Sequence, residues 1–223
     1  MFELAKLEAA LGALPLFPLP MAVLLPYEML PLHVFEPRYR ALVEDALLRE
    51  LPLCIAQLSP GWEGNYEGRP RVEPICGAGF ITQHEKLDGG RYNILVRGVA
   101  RVQILGELPA QKPYRQARAQ LVEDELPERA TLEEAEESVR RMLFALCSAR
   151  PGPGSNALAQ LAAHAQGPAA LADIVIAALV TDHARRQLSL VTPNVGERLA
   201  IAQSSIAELL VLRAPEDQRG LRN

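Results

Sequence analysis

The sequence predicts an α+β protein, a strand-rich half followed by a helical half. Three observations carry that reading. From about residue 14 to 123, apolar residues come in short runs punctuated by Pro and Gly. Beyond the charged stretch EDELPERA, at 123–130, apolar residues recur every three or four positions. One amphipathic helix interrupts the strands, inside LPLHVFEPRYRALVEDAL at 30–47.

The runs LPLFPL, MAVLL and EMLPLHVF are bounded by prolines, as strands at an edge or a barrel rim are. LPLCIAQL, at 51–58, reads as another strand. CGAGFITQHEK then meets RYNILVRGVARVQILGEL through LDGG, a hairpin with an Asp-Gly-Gly turn. Gly98 lies inside the second, long strand and predicts a bulge or bend there. YRQARAQLVEDE supplies the last strand, alternating Ala117, Ala119 and Leu121 with polar neighbours. In the interrupting helix Pro37 suits the first position, where a missing N–H is no loss. Tyr39, Leu42, Val43, Ala46 and Leu47 then form one buried face.

In the second half, Thr131 and Glu134 have capping-box spacing, followed by a face of Ala135, Val139, Met142, Leu143 and Leu146. PGPGS at 151–155 breaks that helix. A short helix at about 157–166, a third after Gly167-Pro168 and a last after Thr192-Pro193 follow. The expected organisation is a β-barrel-like domain over 1–123, a connector at 124–130, a helical subdomain over 131–213 and a disordered tail at 214–223.

Composition narrows the function classes. The 223 residues carry 49% hydrophobic and 22% charged side chains, ordinary for a folded soluble protein. The net charge of −4 argues against nonspecific binding to nucleic acid or anionic membranes. The apolar run 14–35 carries Pro15, Pro18, Pro20, Pro26 and Pro31 with Glu28 and His33, so it is not a membrane anchor. Cys54, Cys76 and Cys147 are odd in number and far apart, which fits a reducing cytoplasm and no disulfide framework.

Motifs for chemistry are missing. The sequence has no P-loop, GxSxG, HExxH or EF-hand pattern, and its four His are scattered singly, so neither metal nor cofactor is expected. A thiol nucleophile among Cys54, Cys76 and Cys147, paired with His33 or His84, would be the enzymatic alternative. Cys in strands more often serves as a small hydrophobe. Glu36, Arg38 and Arg40 bracket the helix start, where Glu36 favours the positive end of the helix dipole. An ion pair pinning the joint is the better reading of these charges than catalysis. The loop SPGWEGNYEGRP at 59–70 holds the only Trp, Trp62, together with Tyr66, and aromatic loops between rigid strands suit recognition.

These segments also carry a resemblance. LPLFPLPMAVLLPYEMLPLHVFEPRYRALVEDAL resembles the opening of the N-terminal substrate-binding domain of Lon proteases. GAGFITQHEKLDGGRYNILVRGVARVQI is similar to that family's second signature, ending in Gly98, Arg101 and Ile104. The resemblance covers nearly the whole chain and implies a PUA-like pseudo β-barrel with one inserted helix, followed by a C-terminal α-helical bundle. It makes His33, Glu36, Pro37, Arg38 and Tyr39 a structural joint with no catalytic role. One departure is Tyr27, where the family often has Gly. The chain looks like the stand-alone bacterial members, without ATPase or protease domains, so no catalysis is expected.

By that resemblance the partners are unfolded or peptide-like protein segments, with a protease or chaperone as a second partner. Trp62, Tyr66, Met21 and Tyr27 form the expected binding surface. The competing RNA-binding reading, drawn from other PUA-like barrels, needs a basic face built from Arg69, Arg71, Arg91, Arg97 and Arg101.

Overall fold

A computed structural model describes residues 2–66 and 68–211. In chain order the elements are α1 (Phe2–Ala10), β1 (Leu14–Leu19), β2 (Met29–Val34), α2 (Pro37–Arg49), β3 (Leu53–Gln57), β4 (Ile75–Lys86), β5 (Tyr92–Glu107), β6 (Arg115–Leu121), α3 (Arg129–Ala149), α4 (Pro153–Ala163), α5 (Pro168–Leu179), α6 (His183–Val191) and α7 (Val195–Val211). The chain divides into two compact units. Among the described residues, one comprises those up to Asp124 with Thr181–Pro193, and the other Glu125–Val180 and those from Asn194 onward. The expected tail at 214–223 lies outside the described residues. Among those described, no helix is long and apolar enough to cross a membrane.

In the first unit the strand order is β2-β5-β4-β3-β1-β6, and β6 also pairs with β5. Five strands therefore close into a ring, with β2 added alongside. The ring needs a long β5. Its first half pairs with β2, from Met29↔Arg97 to Val34↔Tyr92, and its second half pairs with β6. Between the halves the β4–β5 register steps from Gly79↔Gly98 to Ala78↔Ala100, leaving Val99 as an extra residue. The bend expected at Gly98 is thus a bulge beside it.

Both faces of the ring are covered, so period two separates two apolar clusters. From β3, Leu53 and Ile55 face α2 with Tyr39, Leu42 and Val43, while Cys54 and Ala56 join Leu7, Leu14, Leu16 and Val102. Each fully buried Leu contributes about 1.5–3 kcal/mol. α2 turns Tyr39, Leu42, Val43 and Ala46 inward, the face its sequence predicts.

The MAVLL strand does not form. Residues 22–26 are irregular, although Leu24 and Leu25 are fully buried. Their backbone crosses directly over two glycines: a Cβ on Gly77 would lie 1.8 Å from the Leu24 carbonyl oxygen, and one on Gly98 2.0 Å from that of Leu25. The Tyr27 N–H donates to the Gly98 carbonyl at 3.0 Å, and the Gly98 N–H to that of Glu28 at 2.9 Å. Tyr27 has φ +66°, the left-handed region that favours glycine. Arg186 of α6 fastens the same segment, pairing with Glu28 and donating to the Val23 carbonyl at 3.3 Å.

In the helical unit, α3 buries Leu132, Val139, Leu143 and Leu146, and α7 buries Val195, Leu199, Ala202 and Ile206. The capping box at Thr131 is absent. α3 begins two residues earlier, at Arg129, with Glu128 at the cap and no side-chain cap hydrogen bond, so Thr131 is already helical. Neither α1 nor α6 was marked by the apolar period. α6 does carry a start signal: the Asp182 carboxylate accepts from the Arg185 N–H at 2.8 Å.

Candidate functional site

One end of the ring gathers the irregular segments. β1 and β3 are parallel, with Leu19 opposite Gln57, so loops 20–28 and 58–74 leave from the same edge. The Leu58 N–H donates to the Leu19 carbonyl at 2.9 Å, joining the two departures. The start of α2 is drawn to this edge by Tyr39. Its ring stacks on Phe17 with centroids 4.4 Å apart, and its hydroxyl donates to the Pro18 carbonyl at 3.2 Å.

A ladder of aromatic and charged groups spans the edge. The Trp62 ring meets Tyr66 edge-on at 5.6 Å. The Tyr66 hydroxyl donates to Glu36 Oε1 at 2.6 Å, and Arg38 Nε donates to Glu36 Oε2 at 2.9 Å. The Arg38 guanidinium lies 4.7 Å from the Tyr39 ring centroid and 5.2 Å from that of Tyr66, a cation–π contact with each. Burial, and then the bond to Glu36, hold the Tyr66 phenol above its ordinary pKa. Glu36 stands at the N-cap, but its carboxylate makes no cap hydrogen bond and turns to Arg38 and Tyr66 instead. The loop therefore bonds through Tyr66 to the charged start of α2.

The residues expected at the joint divide. Arg38 contacts both Glu36 and the Tyr39 ring, and Pro37 opens α2 between them. His33 sits on exposed β2 surface, its Nδ1 2.8 Å from Asn93 Oδ1 and its ring 6.2 Å from Phe35. The expected binding residues divide as well. Trp62 and Tyr66 touch and are half-buried, whereas Met21 and Tyr27, on the neighbouring loop, are 76% and 53% exposed.

The enzymatic alternative finds no geometry. Cys54 and Cys76 are buried in the barrel cluster while His33 and His84 are exposed. A hydrogen bond with Cys76, and then burial, push the Cys54 thiol well above its ordinary range, the reverse of an activated nucleophile. Among the described residues, no group of three or more His, Cys, Asp or Glu side chains is placed to hold a metal ion.

The basic face is also broken up. Arg101 is buried, with Nε donating to the Leu190 carbonyl at 3.0 Å. Arg97 pairs with Glu3, and Arg91 donates to the Asp88 carbonyl at 3.2 Å.

Two further concavities were not legible in the sequence. One, of roughly 200 Å³, is lined by Arg38, Tyr39, Arg69, Lys112, Tyr114 and Arg115 among others. The other, in the helical unit, is an apolar groove of roughly 180 Å³ beside Leu143 and the exposed Phe144.

Comparison with known proteins agrees with this architecture. Residues 13–208 match the family described as the ATP-dependent protease La (LON) substrate-binding domain. No curated protein matches the sequence significantly. The N-terminal domain of a Mycobacterium avium complex Lon protease superposes with a TM-score of 0.69 at 18% identity, covering 88% of this chain and 99% of that one. A Lon N-terminal domain protein from Xanthomonas campestris gives 0.58 at 18% identity, covering 92% and 99%. The ring with its added strand and inserted helix is the fold that these bacterial domains share. The match over 13–208 shows that this chain belongs to the Lon substrate-binding domain family.

Proposed function

We propose that this protein is a non-enzymatic recognition module that binds unfolded or apolar polypeptide segments and delivers them to a separate protease or chaperone. The observation that carries this reading is the pair of loops that leave one end of the ring, with Met21 and Tyr27 exposed on one and the Trp62–Tyr66 pair on the other. Exposed aromatic and Met side chains on loops anchored to a rigid sheet supply adaptable apolar contact area. The family's substrate-binding role supports the same reading. We place the action in the cytoplasm, where thiols such as Cys54, Cys76 and Cys147 stay reduced.

The test is fluorescence anisotropy of a labelled, permanently unfolded polypeptide titrated with the protein. The folded form of the same polypeptide and a single-stranded RNA serve as comparisons. Selective binding of the unfolded form is expected, with Trp62→Ala weakening it about tenfold, as loss of a buried aromatic anchor does. Binding of RNA alone, falling steeply with salt, would overturn the proposal. Unchanged affinity in Trp62→Ala would move the site away from this edge.

A further inference from the structure

Four cationic side chains line the roughly 200 Å³ cavity of the barrel unit. Arg38 comes from the first turn of α2, Arg69 from the loop after β3, Lys112 from the β5–β6 connection and Arg115 from the start of β6. Their carboxylate partners are not among the lining residues. Glu36 pairs with Arg38, Asp45 with Lys112, and Glu107 with both Arg69 and Arg115. Three carboxylates thus face four cations, leaving one positive charge in excess.

The cations are held in place yet keep donors to give. Glu107 takes Nε and Nη2 of Arg115, and no described residue accepts from Nη1. Lys112 donates to Asp45 Oδ2 at 2.8 Å, one of the three donors of an ammonium group. Asp45 is itself fixed by the Tyr114 hydroxyl at 2.7 Å. These contacts order the array before any ligand arrives, which lowers the cost of binding. The rings of Tyr39 and Tyr114 line the same space and offer apolar contact beside the charges.

We propose that this cavity binds a carboxylate carried by an extended polypeptide, either its terminal α-carboxylate or an acidic side chain. The proposal rests on the reading that the chain binds polypeptide, and it names the group that is read. Arg115 Nη1 and the remaining ammonium donors of Lys112 can give a carboxylate charge-assisted hydrogen bonds, with the Arg38 and Arg69 guanidinium charges beside them. The volume suits one or two residues; drug-sized ligands occupy sites of roughly 300–1,000 Å³. Arg38 also belongs to the Glu36–Tyr66 ladder, so the cavity and the aromatic edge share a residue.

The test compares an unfolded peptide as its free acid, as its C-terminal amide, and as the amide with every Asp and Glu changed to Asn and Gln. Each is titrated against the wild type and against Arg69→Gln/Lys112→Gln, which spares the Arg38 joint. The free acid should bind about tenfold tighter than the amide, as charged hydrogen bonds do, and the double variant should erase the difference. Equal binding of acid and amide, with a loss only in the neutralised peptide that the variant mimics, supports the same site with a side chain as its source. Equal binding of all peptides to both proteins overturns the carboxylate site and leaves polypeptide binding intact. No binding of any peptide overturns both readings. Displacement of the free acid by inorganic phosphate, at concentrations where acetate has no effect, would also overturn it.

Discussion

Arg198 on α7 donates through Nη1 to both carboxylate oxygens of Asp173 on α5, each at 3.0 Å. Both residues are buried, Arg198 completely. Two charges withdrawn from water hold each other among the buried apolar side chains of α5 and α7, and neither is tolerable alone. Arg198→Met should lower stability by about 3–5 kcal/mol, because Asp173 is left buried without its main counter-charge. Arg198→Met/Asp173→Leu should recover most of that loss. Chemical denaturation of the three proteins measures this. A loss under about 1 kcal/mol in the single variant would mean that the pair behaves like an exposed one.

The crossing of residues 20–28 over the sheet makes Gly98 a packing requirement. A Cβ there would sit 2.0 Å from a backbone oxygen, which cannot rotate aside. Gly98→Ala should cost about 1–3 kcal/mol, as overpacking does. Gly106→Ala, on the same strand with nothing within 4 Å of the added carbon, should stay within about 0.5 kcal/mol of wild type. Equal effects of the two substitutions would contradict the close crossing.

Glu28 gives that segment a pH dependence. Burial raises its pKa, outweighing the Leu25 N–H at 2.9 Å and the Arg186 guanidinium, both of which lower it. A carboxyl raised on folding binds a proton more readily in the folded state, so its ionisation costs stability as pH rises through the interval just above 4.5. The stability of wild type relative to Glu28→Gln should therefore increase as pH falls through that interval. Denaturation curves of both proteins between about pH 4 and 7 give the sign, and the opposite slope would show that Arg186 dominates.

The thiols should be unequal. Cys54 and Cys76 are buried together, and Cys147 on α3 is half-exposed with its pKa raised by burial. A disulfide reagent at pH 8 should modify Cys147 first and slowly, and Cys54 only on unfolding. Rapid reaction at Cys54 or Cys76 in the folded protein would reopen the enzymatic reading.

Strands and helix faces were legible in the sequence because they follow local periods. Alternation marks β6, short apolar runs with the Asp-Gly-Gly turn mark β3 to β5, and the spacing of Tyr39, Leu42, Val43 and Ala46 marks α2. Segment 20–28 misled because its apolar residues are buried by crossing Gly77 and Gly98, a contact separated by some 50 to 70 positions in the chain. The cationic cavity escaped for the same reason, since it assembles Arg38, Arg69, Lys112 and Arg115 from three separate segments. An ion pair at the start of α2 was readable from the charges Glu36, Arg38 and Arg40 gathered there, though not that it would join Glu36 to Arg38. That Tyr66 would complete it was not, because loop 59–70 has no period to place its side chains.

Tyr66 offers the means to separate the structure of the aromatic edge from its binding role. Its hydroxyl bonds Glu36 and its ring supports Trp62. Tyr66→Phe keeps the ring and removes the bond, so it should cost about 0.5–1.5 kcal/mol and leave Trp62 where it is. Tyr66→Ala removes both, and Trp62 should then enter water. Trp62 is the only tryptophan, so its fluorescence reports this directly. The emission of Tyr66→Phe should match wild type, whereas that of Tyr66→Ala should shift to longer wavelength. If polypeptide binding depends on a Trp62 presented by Tyr66, affinity should follow the emission and not the stability. Tyr66→Phe would then bind normally although it is less stable than wild type, and Tyr66→Ala would bind weakly. Affinity that falls in step with stability in both variants would make the ladder a fastening of the loop to α2, with recognition carried by other residues.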